Sequence, residues 1–427
     1  MKLLVVSYFY PPFNSIGGYS VSKLSRHLHQ QGWDVRVLCA RHDDLPSELP
    51  VELPADRIIR TSSFDVNALP KLVLGRGHIA RRGFEFSGRG GVLTALGRAY
   101  RQVVNFPDGQ IGWYPMAVRA GARAIEADRP DVILAVATPW TSHLIARSLS
   151  RRYGIPWVAR YHDLWTDARG RERVWPLSRV ERWLEDRNTP TAGAIATMSD
   201  AWRDELAARF RSVPAYTVPF GFEPTDYPPS PAPEGLPLTI LYSGRLYPRQ
   251  DPAKLFEGVR LALAAGVAPT DIRIRFIGRY LESARRALAR SGLPSDVVSV
   301  DDPEPHAEAV ALQRRASALL LFMGEDDDIG LLPAKMYGYL GARRPVLVIG
   351  GSSRHEGVEL MRRAGVGTWA PDAAAVADIL KRWVDALRIG PLTVDPDPAI
   401  LKAHEWRTTA ATMGDVLNDV IRHAKTR

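Results

Sequence analysis

Two series of apolar, strand-like runs alternating with helix-spaced segments, separated by a proline-dense stretch, constrain this 427-residue chain more than any other feature. Residues 2–9 (KLLVVSYF) form a largely apolar run, the pattern of a strand covered on both faces. A PPFNSIGG loop follows. SVSKLSRHLHQQG then places Val21, Leu24 and Leu28 at helical spacing, and DVRVLCA reads as a second strand. Such a β–α–β unit favours a parallel sheet. The same periodicity predicts helices at 115–128, 141–153, 177–189 and 200–210, with strands at 131–137, 156–161 and 194–199 between them.

Eight prolines then fall in the 24 residues from Pro214 to Pro237, which suits a linker and neither a helix nor a central strand. Beyond it the alternation resumes. Strands are expected at 238–244, 272–278, 318–323 and 345–350. Helices are expected at 252–266, 280–291, 306–316 and 333–342, with a final helix at 400–425. The expected fold class is α/β, with two Rossmann-like domains facing each other across a cleft and a C-terminal helix. The expected boundaries are 1–215 for an N-terminal domain, 216–237 for the linker and 238–395 for a C-terminal domain. Residues 396–427 then form a helix packing back on the N-terminal domain. A ligand belongs at the carboxyl ends of the strands.

Composition narrows the function classes. With 45% hydrophobic and 24% charged residues, the chain is neither a disordered tail, a fibrous repeat nor a disulfide scaffold. Cys39 is the only cysteine, so no internal disulfide forms and a reducing compartment is expected. No run approaches 18 apolar residues, the length needed to span a bilayer. The opening MKLLVVSYFYPPF reads as a buried strand and not as a leader. The net charge is +9, which points to an anionic partner: nucleic acid, a membrane surface or a phosphorylated small molecule. Arginines supply 48 of the 56 cations, a bias that GC-rich coding alone explains. No nucleic-acid-binding motif is present.

Four segments carry residues suited to chemistry. Gly17 and Gly18 stand where a loop meets a helix, a place where backbone approaches a ligand closely and helix N–H groups face an anion. They do not form GxGxxG, which counts against a dinucleotide-binding oxidoreductase, and turn geometry explains them equally well. SGRLYPRQDP (243–252) puts Arg245 and Arg249 between a strand and a helix, where a diphosphate is held by charge-assisted bonds; singly, each is more often a solvated residue. EDDDIGLLPAKMYGYLGARRPVLVIGG (325–351) leads from an acidic cluster through Gly330 into a helix with Pro333 in its first turn. There Lys335 and helix N–H groups face an anion and Asp327 or Asp328 accepts from sugar hydroxyls, against the plain reading of a loop capping a helix dipole. Gly338, inside that helix, costs about 1 kcal/mol relative to Ala and brings nothing to a site. RYHDLW (160–165) places His162 and Asp163 at a strand end, a pair more often structural than catalytic.

Taken in order, YFYPPFNSIGG, FPDGQIGWYP (106–115), HDLWTD (162–167), TMSDAW (197–202), GRLYPRQDP and GLLPAKMYGYLGARRPVL resemble the family-4 retaining glycosyltransferases. Closest are the bacterial members that build surface polysaccharides and lipid-linked glycans. The resemblance covers nearly the whole chain and implies the GT-B fold. It implies transfer of a sugar from a nucleotide-diphosphate donor to an acceptor hydroxyl of a lipid-linked or surface glycan or a small molecule, with retention. No metal or other cofactor is implied; the nucleotide sugar is a co-substrate. By resemblance, the donor diphosphate is held by Gly17, Gly18, Arg245, Arg249, Leu331, Leu332 and Lys335. The donor sugar meets Asp327, Asp328, Gly330, His162 and Asp163, and His162, Arg245 and Lys335 are the catalytic candidates. The family lysine after GR falls on Arg249 or Gln250, and a glutamate expected to bind ribose is replaced by Gly338.

Residues 57–105 hold nine Arg and Lys against Asp65 and Glu85, a local charge of 9 − 2 = +7. In the resembled family this half faces the acceptor. Arg76, Arg81, Arg82, Arg89, Arg98 and Arg101 are therefore expected on the acceptor or membrane side, against anionic lipid headgroups. A solvated loop is the equal alternative. The implied location is cytoplasmic, peripheral on the inner face of the cytoplasmic membrane. Three other readings stand beside the transferase. They are a non-catalytic nucleotide-sugar-binding subunit, a single-Rossmann metal-dependent transferase using Asp326, Asp327 and Asp328, and a sugar-nucleotide epimerase.

Overall fold

Because its side chains are buried on both faces, the apolar run at the start of the chain becomes β1 (Lys2–Val6), at the centre of a parallel sheet. The computed structural model describes residues 1–42, 49–66, 102–168, 173, 175–247, 250–324 and 329–426. They divide into a first unit, Met1–Val218 with Ala410–Arg427, and a second, Pro219–Thr409.

The first unit runs β1, α1 (Ile16–Gln30), β2 (Asp34–Ala40), β3 (Ile58–Thr61), α2 (Tyr114–Ala127), β4 (Val132–Ala137), α3 (Thr141–Tyr153), β5 (Trp157–Tyr161), α4 (Leu177–Asn188), β6 (Ala194–Thr197), α5 (Asp200–Arg209) and β7 (Ala215–Thr217). The sheet order is β3-β2-β1-β4-β5-β6-β7. Val5 lies between Val37 and Leu134, so the order reverses beside β1. That reversal makes the sheet doubly wound, with ligand sites expected at the carboxyl ends of its strands. β4 (VILAVA) has every residue buried, and α3 stops at Gly154, whose φ of 63° suits glycine.

The second unit repeats the pattern with β8 (Leu238–Ser243), α6 (Ala253–Ala264), β9 (Ile272–Ile277), α7 (Glu282–Ser291), β10 (Val298–Asp301), α8 (His306–Arg315), β11 (Ala318–Phe322), α9 (Lys335–Ala342), β12 (Val346–Ile349), α10 (Glu356–Arg363), β13 (Gly367–Ala370), α11 (Ala373–Leu387) and α12 (Pro398–Ala403); the last helix, α13 (Trp406–Lys425), belongs to the first unit from Ala410 onward. Its order is β10-β9-β8-β11-β12-β13, over a core that includes Tyr242, Phe256, Phe276 and Phe322.

Differences from the expected elements have local causes. Strands β3, β7, β10 and β13 are only three or four residues long, too short for a periodic signal. The single C-terminal helix expected at 400–425 is broken into α12 and α13. The Phe222 backbone inserts there, its N–H donating to His404 O at 2.9 Å and its carbonyl accepting from Trp406 N at 3.0 Å. Within the first unit, the last helix lies over Gly193, where an added Cβ would come within 2.7 Å of Val420. Among the described residues no helix is long and apolar enough to cross a membrane.

Candidate functional site

In the second unit, β8 and β9 end on two glycines that approach each other closely. Gly244 (φ 115°) donates its N–H to Ile277 O at 2.8 Å, and a Cβ on Gly278 (φ 151°) would lie 2.3 Å from Gly244 O. A side chain at Gly278 would clash with that carbonyl, and at Gly244 the backbone conformation is one that favours glycine. The close approach brings the residues after both strands together. The exposed Arg245 guanidinium lies 4.7 Å from the Tyr280 ring centre and 5.2 Å from that of Tyr247. Both rings remain about half exposed, Tyr280 52% and Tyr247 46%.

The Arg245 backbone is held as firmly as its side chain. Its carbonyl accepts from Tyr242 Oη at 2.7 Å and from Lys335 Nζ at 3.0 Å. Lys335 sits 3.6 Å over the Tyr242 ring. Burial lowers its pKa well below the ordinary lysine value. The next turn of α9 is also tied to β8, with Ser243 N–H donating to Tyr339 Oη at 3.1 Å. Gln250 closes the loop: its amide donates to Phe322 O at 2.8 Å and accepts from Tyr247 N–H at 3.1 Å. Gln250 is buried and fastens the loop to β11, so this position supplies no cation.

Arg249, Asp327 and Asp328 lie outside the described residues, as does Asp326 of the metal-site alternative. Gly330 and Leu332 are buried and Leu331 is half-buried. The helix starts at Lys335, two residues later than expected, with Pro333 O accepting from Met336 N–H at 2.9 Å. Gly338 does more than the sequence implies. A Cβ there would come within 2.7 Å of Tyr227 Oη, and one on Gly341 within 2.7 Å of Phe222 and Tyr227. Both glycines make room for the 222–227 segment, and Tyr227 donates to Gln313 Oε1 at 3.1 Å.

In the first unit the motif residues are more fully engaged. Gly17 and Gly18 lie inside the first turn of α1, not before it, because Ser15 caps the helix by accepting from Gly18 N–H at 3.0 Å. An added Cβ on Gly18 would come within 2.9 Å of Ser15 Oγ. His162 is buried and accepts from Arg160 Nε at 3.1 Å, which requires a neutral ring protonated at Nδ1. Burial, then the Arg160 charge, lowers its pKa far below the ordinary histidine value. Asp163 is exposed. The rest of HDLWTD is scaffolding. Trp165 stacks on Trp140 at 5.1 Å and donates to Glu181 at 3.0 Å, while Thr166 N–H donates to Glu185 at 3.1 Å. In FPDGQIGWYP, Asp108 accepts from the Thr141 N–H and hydroxyl at 2.8 and 2.7 Å, capping α3 from a distant loop. Arg76, Arg81, Arg82, Arg89, Arg98 and Arg101 lie outside the described residues.

The sequence reading missed Tyr242, Tyr247 and Tyr280 as partners of the two cations. Tyr247 stands inside a quoted motif, and Tyr280 stands two residues after Gly278 at a strand's carboxyl end, where ligand-facing residues gather.

Residues 17–225 match the family model described as Glycosyltransferase Family 4. The chain is similar to that family over most of its first unit, and the two sheets are those of a GT-B glycosyltransferase fold. No curated protein matches the chain. Among solved structures, the sucrose-phosphate synthase of Thermosynechococcus elongatus is 16% identical, with 99% of each chain covered and a TM-score of 0.65. Anabaena HepE, solved in complex with UDP-glucose, is 13% identical, with 100% of this chain and 98% of that one covered and a TM-score of 0.55. The UDP-GlcNAc 2-epimerase of Methanocaldococcus jannaschii is 12% identical, with 98% and 99% covered and a TM-score of 0.52. At such identities the likeness is one of fold, which transferases and an epimerase share. The family match over residues 17–225 is to a glycosyltransferase family, and with the fold it supports a glycosyltransferase.

Proposed function

We propose that the chain transfers a sugar from a nucleotide-diphosphate donor to an acceptor hydroxyl with retention of configuration and without a metal. The observation that carries this is the meeting of Lys335 and Tyr242 on the Arg245 carbonyl, with the Arg245 guanidinium flanked by two tyrosines at a strand's carboxyl end. Two cations from different elements are thereby held ready for one anion. In the reaction the bond from the sugar's anomeric carbon to the diphosphate breaks and the bond to the acceptor oxygen forms. The acceptor's proton passes to the leaving phosphate, so no protein nucleophile is needed. Arg245 and Lys335 stabilise charge developing on the diphosphate, the dominant kind of contribution in preorganised sites.

The UDP-glucose bound by the fold-relative HepE supports a nucleotide sugar as the donor class. The acceptor is a lipid-linked or surface glycan or a small molecule, and the chain works on the cytoplasmic face of the membrane, peripherally bound. The test begins with a thermal-shift screen against nucleoside diphosphates and nucleotide sugars, followed by turnover assays with EDTA present. Arg245→Ala and Lys335→Ala should each lower kcat roughly a hundredfold, as for loss of one electrostatic donor. Full activity in both variants overturns the site. A second reading, a non-catalytic binding subunit, draws on Tyr227 filling the space beside Gly338; donor binding without turnover would establish it.

A further inference from the structure

A surface cavity of about 280 Å³ in the first unit lies between α2, α3 and α4, among residues that have no part in the proposed donor site. Its polar lining is Arg147 and Arg151 from α3, Ser148 beside them, and Tyr114 from the start of α2. Arg147 and Arg151 are four residues apart on one helix face, a like-charge spacing that destabilises a helix. Arg187 of α4 adds a third positive charge that acts on Arg147. Among the described residues none of the three forms an ion pair with a carboxylate. Arg147 is half-buried, and its Nε is covered by protein without a hydrogen-bond acceptor. Burial and the neighbouring Arg151 and Arg187 charges lower its pKa below the ordinary arginine value.

Like charges this close repel one another, most at the half-buried Arg147 and less at the exposed Arg151 and Arg187, and an anion among them relieves that repulsion. The guanidinium geometry suits phosphate oxygens, which accept paired hydrogen bonds. Two hydroxyls complete the polar side, Tyr114 Oη and Ser148 Oγ standing 2.6 Å apart. The remaining wall is apolar, formed by Ile111, Leu144 and Leu184. Just beyond it on α4, Trp183 is 54% exposed and lies under the Arg187 guanidinium at 5.1 Å. A cavity near the lower end of the roughly 300–1,000 Å³ range of small-molecule sites admits a head group and a few carbons.

We propose that this cavity binds a phosphate monoester carrying an apolar tail, either a soluble alkyl phosphate or the head group of an anionic lipid. The test uses the full chain bearing Arg245→Ala and Lys335→Ala together, which removes both cations of the proposed donor site, with hexyl phosphate and inorganic phosphate titrated by calorimetry. Hexyl phosphate should bind roughly tenfold tighter than inorganic phosphate, from the burial of its first methylenes. Arg147→Met and the exposed-site variant Arg151→Gln should each weaken it roughly tenfold or more, as for loss of a charged hydrogen-bond partner. Arg151→Gln guards against misfolding of the first variant. Co-sedimentation with phosphatidic acid vesicles but not with phosphatidylcholine vesicles assigns the ligand to a bilayer. Hexyl phosphate binding without vesicle binding assigns it to a soluble ester. Equal affinity for the two phosphates, or unchanged affinity in both variants, overturns the proposal.

Discussion

The HDLWTD loop after β5 and the GRLY loop after β8 occupy corresponding places, each at the carboxyl end of a strand in a doubly wound sheet, yet they use their polar groups in opposite ways. In the first, Arg209 gathers Asp167 at 2.6 Å, Glu185 at 2.9 Å and Asp186 at 2.5 Å, while Trp165 and Thr166 are bonded to buried carboxylates. In the second, Arg245 is exposed and flanked by aromatic rings. A motif shared with a family therefore has two physical meanings. One holds a loop in shape; the other leaves its charge exposed, as the proposed donor site requires. The partners of each side chain tell them apart.

The largest effect expected from this contrast is on stability. Arg209→Ala leaves Glu185, which is fully buried, without its ion-pair partner, while Asp167 keeps Arg182 at 3.1 Å, and breaking a buried pair costs about 3–5 kcal/mol. Denaturant unfolding measures the loss, and calorimetry should show unchanged nucleotide affinity in the folded fraction. A loss under about 1 kcal/mol would place Arg209 among ordinary surface pairs and dissolve the distinction between the loops.

The next effect extends the framework inward. His143 of α3 is fully buried and bonds to Arg160 O at 3.2 Å, and Arg160 in turn donates to His162. Burial is the main cause that lowers the His143 pKa from 6.5 to about 4. With the folded value depressed, the unfolded chain takes up the proton first. Stability is thus fully present above pH 6.5 and falls as the pH drops toward 4. Each pKa unit corresponds to about 1.4 kcal/mol, so the loss approaches about 3 kcal/mol, with His162 acting in the same direction. His143→Gln keeps a side-chain donor and should flatten the unfolding free energy between pH 6.5 and 4. An unchanged pH slope would show that His143 does not titrate there.

How much of this was legible follows from the same contrast. The long apolar strands announced themselves because β1, β4, β5 and β11 are buried on both faces, which leaves a continuous run. Sequence also singled out Arg245 and Lys335, which the structure brings together, since charged residues at strand ends and helix starts are local patterns. It did not reveal that Gly338 gives way to Tyr227, a residue 111 positions earlier, because that contact depends on tertiary packing. Nor did it separate Arg249 from Gln250 as the loop's cation, since the Gln250 bond to Phe322 O crosses 72 residues. Neighbour patterns reach a turn or two; packing between elements lies beyond them.

The smallest effect is the sharpest test of the GRLY loop. Tyr280 has φ of 61°, one of two such residues other than glycine among those described, and this backbone costs roughly 1–2 kcal/mol for a non-glycine residue. Tyr280→Gly removes that strain but enlarges the conformational freedom of the unfolded chain by roughly 0.5–1 kcal/mol, so the melting temperature should hardly move. If the ring only fills space, donor KM should not move either. If it holds the guanidinium in place, loss of an exposed cation–π contact worth about 0.5–1 kcal/mol raises KM about two- to fivefold. Tyr280→Phe, which keeps the aromatic face and lacks only the hydroxyl, should restore the wild-type KM. A KM that rises equally in both variants would assign the effect to the hydroxyl and remove the ring from the account of Arg245.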